Sequence, residues 1–224
     1  MNRAVDWVLD LLYPPKCVFC RRLLSREETE ICRSCRLSLP VAGGSREFGA
    51  YLSSGVAALY YEGAVRESLL RYKFGSMEQY AACYGRLLAA ACTALPLDTV
   101  DLVTWVPVSR KRRRRRGYDQ AGLLARALSA ELDKPLAPAL VKTRDNPAQS
   151  LQGSPEARRA NVLGVYQARA QTALAGKVVL LVDDIVTTGA TASEAARVLL
   201  TAGAAGVYLA VLAIRRAGES NGLG

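Results

Sequence analysis

The chain contains no histidine among its 224 residues. This absence excludes Ser/His and Cys/His catalysis, together with any metal site that depends on imidazole ligands. No apolar run reaches the ~18 residues that a membrane-spanning helix needs, so the sequence predicts no membrane insertion. The opening stretch MNRAVDWVLDLL carries Asp6 and Asp10 within its apolar pattern, which favours a short amphipathic helix over a signal peptide. We therefore expect a cytoplasmic protein.

Two common phosphate-binding motifs are also missing, since neither GxxxxGK[ST] nor GxGxxG occurs. Half of the residues are apolar and 22% are charged, which fits one main globular domain with room for a smaller module. The formal net charge of +10 is unevenly distributed, because the segment 110–116 consists of seven consecutive cations. A polyanionic ligand or partner is therefore expected.

Six cysteines in a reducing compartment favour metal ligands or core residues over disulfides. Four of them form two CxxC pairs, CVFC and CRSC, separated by eleven residues. This spacing favours a closed, structural zinc site, and a redox dithiol or uncoordinated thiols are the alternatives. We expect a self-contained module over residues 1–45, held by metal because it is too small to bury its own core. The predicted zinc ligands are Cys17, Cys20, Cys32 and Cys35.

The rest of the chain alternates extended and helical patterns. The stretches GVAALYYEG, DLVTWVPV, KVVLLV and VYLAVLAI favour strands, whereas AVRESLLRYKF, YDQAGLLARALSAEL and TASEAARVLLTAG show helical spacing. A further helix around Tyr80 would bury Cys83 and bring Cys92 close to the core. Asp119 is placed to cap one helix, and Gly203 to end another. The pattern predicts an α/β fold with a mostly parallel sheet, whose ligands bind beyond the carboxyl ends of the strands.

One such end carries the sequence VVLLVDDIVTTGAT. The strand is expected to end at Val182, with Asp183 and Asp184 after it and the next helix beginning near Thr188 or Thr191. Backbone N–H groups at that helix start, together with the threonine hydroxyls, would form a seat for a phosphate. The acids would repel this anion unless they served ligand hydroxyls or a hard cation, although capping of the helix is the simpler alternative. A sugar phosphate with Mg²⁺ satisfies both demands.

The segment 178–191 closely resembles the motif that binds 5-phosphoribosyl 1-diphosphate (PRPP) in type I phosphoribosyltransferases. Nearly the whole chain resembles the ComF family, phosphoribosyltransferase-like proteins with a zinc module that are associated with natural competence and DNA uptake. The features that carry this resemblance are the four N-terminal cysteines, YYEGAVRESLLRYKF, VPVSRKRRRRRGYDQ, NPAQ, EARRAN and the 178–191 motif. The resemblance implies a type I phosphoribosyltransferase fold over residues 46–216, followed by a C-terminal tail over 217–224.

Three positions depart from the family pattern. Trp105 stands where the family usually has the first proline of Pro-Val-Pro, and the RGFNQ pattern reads RGYDQ at residues 116–120. Asn146 stands where the family tends to carry threonine. The first departure lies in the loop that is near the diphosphate in the resembling enzymes. All three leave the PRPP motif itself intact.

The resemblance also implies roles for individual residues. Asp183 and Asp184 would hold the ribose hydroxyls and act as the catalytic pair, and a bridging Mg²⁺ would accompany the diphosphate. The arginine run is expected either to be a solvated segment or to close over the diphosphate, with its middle arginines facing solvent or nucleic acid. Residues implied in binding the 5′-phosphate are Thr187, Thr188, Gly189, Ala190 and Thr191, and those implied near the diphosphate are Ser109, Arg110, Lys111, Arg116 and Lys73.

The expected function is transfer of a phosphoribosyl group from PRPP to an acceptor, with release of diphosphate. The alternative is a noncatalytic protein in which the pocket senses PRPP or is vestigial, while the zinc module and the arginine run engage single-stranded DNA or a DNA-processing partner. Only Tyr118 supplies an aromatic ring beside the run, so backbone attraction is more credible than base reading. The sequence predicts neither the acceptor nor the oligomeric state.

Overall fold

The structure is a computed structural model that describes residues 14–144 and 163–216. Its central sheet has the strand order β1-β2-β7-β6-β3, in which β1 is antiparallel to β2 and the other neighbours are parallel. A separate antiparallel pair consists of β4 and β5. The strands are β1 (Ser45–Arg46), β2 (Ser54–Tyr60), β3 (Leu102–Trp105), β4 (Leu140–Lys142), β5 (Tyr166–Ala168), β6 (Val178–Val186) and β7 (Gly206–Ile214).

Helices cover both faces of the sheet, as the alternating pattern predicts. One face packs against α3 and α5, and the other against α6. The helices of the described residues are α1 (Arg33–Ser38), α2 (Gly63–Phe74), α3 (Tyr80–Cys92), α4 (Arg110–Arg116), α5 (Gln120–Leu132) and α6 (Ala190–Thr201), with a 3₁₀ turn at Leu97–Thr99. None of these described helices is long and apolar enough to cross a membrane. The predicted mostly parallel α/β architecture is confirmed.

Side chains of β6 alternate between the two apolar layers. Leu180 and Val182 belong to the layer that contains α3 and α5, whereas Val179 and Leu181 belong to the layer that contains α6. This alternation follows from the two-residue period of a strand that is covered on both faces. The alternation is interrupted at the acid pair, because after it Ile185 packs against the α3 and α5 layer and Val186 belongs to the α6 layer.

The sequence predictions for helix ends hold where they can be compared. The Asp119 side chain accepts a hydrogen bond from the Gly122 N–H and caps α5, and Gly203 adopts a left-handed conformation after α6. Cys83 is buried, as predicted, and Cys92, which is expected only close to the core, is buried as well. Four predicted features lie outside the described residues: the N-terminal helix, the segments NPAQ and EARRAN, and the C-terminal tail.

The cysteine module packs against the larger domain. Val18 and Phe19, within the first CxxC pair, belong to the same apolar cluster as α2 and α3. The Val18 carbonyl accepts a hydrogen bond of 2.7 Å from Ser68 Oγ, and the Phe19 ring lies 6.1 Å from that of Tyr84. The tip of the module therefore completes the core of the larger domain.

Candidate functional site

The acid pair lies inside β6 rather than after it. The strand extends to Val186, four residues beyond its predicted end, because Asp183 and Ile185 still pair with β7. Strand alternation then sends the two carboxylates to opposite faces of the sheet. Asp184 faces α2, where it pairs with Lys73, whereas Asp183 faces β5, where its charge acts on Tyr166.

Asp184 forms an ion pair with Lys73 from the last turn of α2. The Lys73 Nζ lies 3.0 Å from Asp184 Oδ1, and both side chains are largely buried. The negative charge of Asp184 also adds to burial in raising the pKa of the nearby Tyr72. Lys73, which the family resemblance implied near the diphosphate, is thus brought to the acids.

Asp183 is in a less favourable electrostatic environment. Burial, and after it the neighbouring charge of Asp184, raise the pKa of Asp183 well above the ordinary carboxyl range. One of its oxygens accepts a hydrogen bond of 2.8 Å from the Asp184 N–H, which partly offsets this effect. On the same side, burial and the charge of Asp183 raise the pKa of the Tyr166 hydroxyl, while the charge of Arg112 lowers it. A ligand that donates hydroxyl hydrogen bonds to Asp183, or places a cation beside it, would stabilise the charged form of this carboxylate.

The threonine turn after β6 is short. Helix α6 begins at Ala190, so only residues 187–189 connect it to the strand. Thr188 Oγ1 is buried and has no hydrogen-bond partner within the part of the chain that the structure describes, whereas Thr187 is exposed. An unpaired buried hydroxyl beside the start of a helix matches the donor set that a bound phosphate requires. Ala190 and Thr191 stand in the first turn of α6, as the motif implies.

The structure gives a steric reason for a glycine at position 189, in addition to the phosphate-binding role that the motif implies. Gly189 adopts φ of +74°, and a Cβ built on it would overlap with the Phe48 carbonyl oxygen. The Ser193 Oγ in α6 also donates a 2.7 Å hydrogen bond to the Ala50 carbonyl. The segment 48–50 therefore packs closely over the turn. No local signal links this segment to the motif, since they are far apart in the chain.

The arginine run forms helix α4. Ser109 caps its start by accepting a 3.3 Å hydrogen bond from the Arg112 N–H, and Gly117 ends it in a left-handed conformation. The high helix propensity of arginine and the two caps stabilise this helix, and together they offset the repulsion between its like charges. The solvated segment considered from the sequence is thus ordered as a helix. Ser109 is buried by this capping role.

The two faces of α4 differ. Arg112 and Arg116, one turn apart, are partly buried, whereas the remaining cations of the run are exposed. The Arg116 Nη1 donates a 2.8 Å hydrogen bond to Gln120 Oε1, and its buried Nε has no partner among the described residues. Burial lowers the pKa of Arg116, and the charge of Asp184 opposes this shift. Arg116 thus lies near the acids, and Arg112, which the resemblance does not single out, shares its face of the helix. Helical spacing from Arg116 was the available signal.

Arg110 and Lys111 face a different region. With Arg114 they line a groove against the β4–β5 pair, with a volume of about 800 Å³. The same groove receives two more cations, Lys142 and Arg144, and none of the described acidic side chains lines it. It is therefore a concentrated positive surface. Arg116, which the resemblance groups with Arg110 and Lys111, does not line this groove.

Two departures from the family pattern contact each other. The Trp105 indole N–H donates to Asp119 Oδ2 at 3.3 Å, and the same oxygen accepts from the Val108 N–H at 3.2 Å. Burial raises the pKa of Asp119, and its hydrogen bond with Gly122 is the largest opposing contribution. The unusual tryptophan and the unusual aspartate thus act together in positioning the chain that leads into α4.

The four predicted zinc ligands converge at one point. Their sulfur atoms all lie within 4.8 Å of one another, and those of Cys20 and Cys32 are 3.6 Å apart. A tetrahedral ion with bonds of ~2.3 Å would separate sulfurs by roughly 3.8 Å, so the donors fit zinc. A hydrogen bond from the Cys35 N–H lowers the pKa of Cys32 to about 7, which favours its thiolate. All four positions of the ion would be filled by protein, which is typical of a structural site.

Comparison with known proteins matches both parts of the chain. A double zinc ribbon domain matches residues 8–46, and a phosphoribosyl transferase domain matches residues 116–222. The glutamine PRPP amidotransferase from B. subtilis, a solved structure, superposes with a TM-score of 0.43 and 23% identity, covering 62% of this chain and 30% of its own.

Two curated relatives extend over most of the chain. The DNA utilization protein YhgH of Escherichia coli O157:H7 is 30% identical over 206 residues, 86% of this chain and 87% of its own length. The competence protein ComFC of Bacillus subtilis is 27% identical over 216 residues, 91% of this chain and 87% of its own length. The chain therefore belongs to the ComF family, with a double zinc ribbon ahead of a type I phosphoribosyltransferase fold.

Proposed function

We propose that this protein binds PRPP with Mg²⁺ and transfers its phosphoribosyl group to an acceptor. The observation that supports this most directly is the buried acid pair one short turn away from the unpaired Thr188 hydroxyl. These groups are complementary to a pentose that carries both hydroxyls and a terminal phosphate. In the reaction the acceptor forms a bond to C1 of the ribose, and diphosphate leaves with the electron pair of the C1–O bond.

The residues divide this work by position. Asp183 and Asp184 would hold the ribose hydroxyls, and the turn 187–191 would hold the 5′-phosphate. Arg116 and Arg112 would face the diphosphate, where their charges stabilise the leaving group as it gains negative charge. Carboxylate oxygens are ligands that Mg²⁺ prefers, and the ion would neutralise part of the diphosphate charge when bound. Catalysis of this kind depends on positioning and electrostatics, which is consistent with a chain that contains no histidine.

Calorimetry tests the binding step. PRPP titrated in the presence of Mg²⁺ should release heat with the zinc-replete wild type, and the Asp183→Asn, Asp184→Asn double variant should give no such heat. A matched control is Asp98→Asn with Asp133→Asn, which removes the same charge from two positions outside the site and should bind like the wild type. Absence of heat with the wild type would refute the proposal. Release of diphosphate with candidate acceptors would then test turnover.

A second candidate function is contact with nucleic-acid phosphates in the groove between α4 and the β4–β5 pair. The five cations that line it, without an opposing acid among the described residues, favour a polyanionic backbone over a neutral ligand. None of the described aromatic side chains lines this groove, so sequence-independent contact is expected. The names of the two relatives, DNA utilization protein and competence protein, agree with a role in handling DNA.

Fluorescence anisotropy with a labelled oligo-dT tests this second candidate. The triple variant Arg110→Gln, Lys111→Gln, Arg114→Gln should weaken binding at least tenfold and make the dependence on salt less steep. The control Arg36→Gln, Arg66→Gln, Arg126→Gln removes three exposed charges elsewhere. Equal loss in the two variants would indicate nonspecific attraction and argue against the groove.

A further inference from the structure

Lys73 is the cation in direct contact with the acid pair. Its Nζ is 3.0 Å from Asp184 Oδ1, with 18% of the lysine side chain and 12% of the aspartate side chain exposed. Among the described residues no other cation is within ion-pair distance of Asp184. The neighbouring Arg116 instead donates to Gln120. The negative charge of Asp184 is therefore balanced chiefly by one lysine.

The backbone beside Lys73 is held in place. The preceding residue, Tyr72, is fully buried and donates a 2.9 Å hydrogen bond to the Gln120 carbonyl. The Tyr72 carbonyl accepts a further hydrogen bond from the Tyr118 hydroxyl. Both contacts tie the end of α2 to the chain between α4 and α5. Lys73 therefore extends from a fixed point, unlike a lysine on an exposed helix.

We propose that Lys73 is the resident counter-cation of Asp184 and makes Mg²⁺ binding at the acid pair dependent on PRPP. A hard cation that approached Asp184 alone would displace the ammonium group and leave it partly buried without an anion. The diphosphate of PRPP supplies a new anion for Lys73, since an ammonium group binds phosphates as a compact point charge. This inference deepens the proposed function and rests on it.

The coupling must be reciprocal, because linkage between two ligands changes both affinities by the same factor. Mg²⁺ should therefore bind the wild type weakly in the absence of PRPP and strongly in its presence. Removing the lysine should open the acids to the metal. The same change should weaken Mg²⁺-PRPP, because the diphosphate loses one cation.

The test is a calorimetric titration with Mg²⁺ alone. Lys73→Met should bind Mg²⁺ at least tenfold more tightly than the wild type. The matched control is Lys177→Met, since Lys177 pairs with Asp101 at the opposite end of β6, 3.5 Å apart and exposed. This control should leave Mg²⁺ binding unchanged. Equal Mg²⁺ affinity in Lys73→Met and the wild type would overturn the proposal.

Two further variants keep the test decisive. Lys73→Gln replaces Lys73→Met if circular dichroism shows that the methionine variant does not fold. Lys73→Arg keeps the cation and should exclude Mg²⁺ as the wild type does, so tight Mg²⁺ binding by this variant would also overturn the proposal. Failure of the wild type to bind PRPP would refute the proposed function, whereas a gain of Mg²⁺ binding in Lys73→Met would still support the counter-cation role.

Discussion

The cysteine cluster and the acid pair are both short sequence motifs, but they differ in where their partner residues come from. The four cysteines fall within nineteen consecutive positions, 17–35, and bring all of their donor atoms with them. The acid pair is joined by Lys73 from α2 and lies near Arg116 from α4, Arg112 lies near the Tyr166 hydroxyl beside Asp183, and the Phe48 carbonyl from the segment before β2 covers Gly189 in the following turn. The first site is local and the second is assembled by tertiary structure. Each prediction below tests one side of this contrast.

The largest effect is expected from Cys17→Ser. Loss of one ligand should release the metal, and structural zinc contributes on the order of 10 kcal/mol to a small module. Because Val18 and Phe19 carry the module into the main core, the whole domain should lose cooperative unfolding. Elemental analysis should find one zinc per wild-type chain and none in the variant.

The control for this prediction is Cys92→Ser, which changes a buried cysteine outside the cluster. It should keep the zinc and lower the melting temperature only modestly. Retention of a full equivalent of zinc in Cys17→Ser would contradict the assignment of the ligands. A variant that loses zinc but unfolds like the wild type would show that the module is independent of the larger domain.

Gly189→Ala should have the next largest effect, because it tests the tertiary side of the contrast. An alanine there adopts left-handed backbone at a cost of about 1–2 kcal/mol. Its methyl group also meets the Phe48 carbonyl, and overpacking of this kind adds about 1–3 kcal/mol. Chemical unfolding should show the sum of the two costs.

Gly176→Ala separates those two costs. Gly176 has φ of +71°, close to that of Gly189, and no atom of the described residues lies within 4 Å of the added Cβ. Its substitution should show only the backbone cost. Equal destabilisation at the two glycines would mean that segment 48–50 does not pack over the turn, and it would remove one tertiary contribution from the site.

Asp183→Asn should stabilise the protein above neutral pH. The folded state raises the pKa of Asp183, so this carboxyl resists ionisation that the unfolded chain allows. The wild type should therefore lose stability as pH rises from about 4 through the folded pKa, by roughly 1.4 kcal/mol for each pH unit between the unfolded and the folded pKa. The variant has no such loss, and its Oδ1 can still accept the hydrogen bond from the Asp184 N–H.

Asp101, at the other end of the sheet, should behave in the opposite way. Hydrogen bonding to the Val178 N–H lowers the pKa of Asp101, so its contribution is lost as pH falls. Melting curves of Asp183→Asn and Asp101→Asn across about pH 4–9 would show that the two carboxyl groups change the pH dependence of stability in opposite directions. An Asp183→Asn variant that is less stable than the wild type at about pH 8 would contradict the environment assigned to this acid.

The sequence predicted the fold and the zinc cluster because the signals are local. Apolar runs, helical spacing and the caps at Asp119 and Gly203 all act within a few residues. The sequence predicts that β6 ends at Val182, where polar residues begin, whereas pairing with β7 continues to Val186. How far two strands pair depends on tertiary contacts, and the sequence of one strand alone does not predict it.

The partners of the acids could not be derived in the same way. The resemblance implies Arg110, Lys111 and Arg116 near the diphosphate without distinguishing among them, whereas the caps at Ser109 and Gly117 make the run a helix with two faces. Which face is buried depends on neighbours distant in the sequence. The family resemblance implied Lys73 in the site, but its ion pair with Asp184 required the structure.

The smallest effect concerns the pair Trp105 and Asp119, in which both residues depart from the family pattern. Their hydrogen bond of 3.3 Å should give a coupling of about 0.5–1.5 kcal/mol in a double-mutant cycle with Trp105→Phe and Asp119→Asn. Asp119→Asn alone replaces one of the two acceptor oxygens with an NH2 group, so it can keep either the bond from Gly122 at Oδ1 or the bonds from Trp105 and Val108 at Oδ2, but not both sets. Cycle energies come from urea unfolding of the four proteins. Additive effects would show that the hydrogen bond between the two side chains contributes no stability, whereas coupling would show that Trp105 and Asp119 together stabilise the entry to α4.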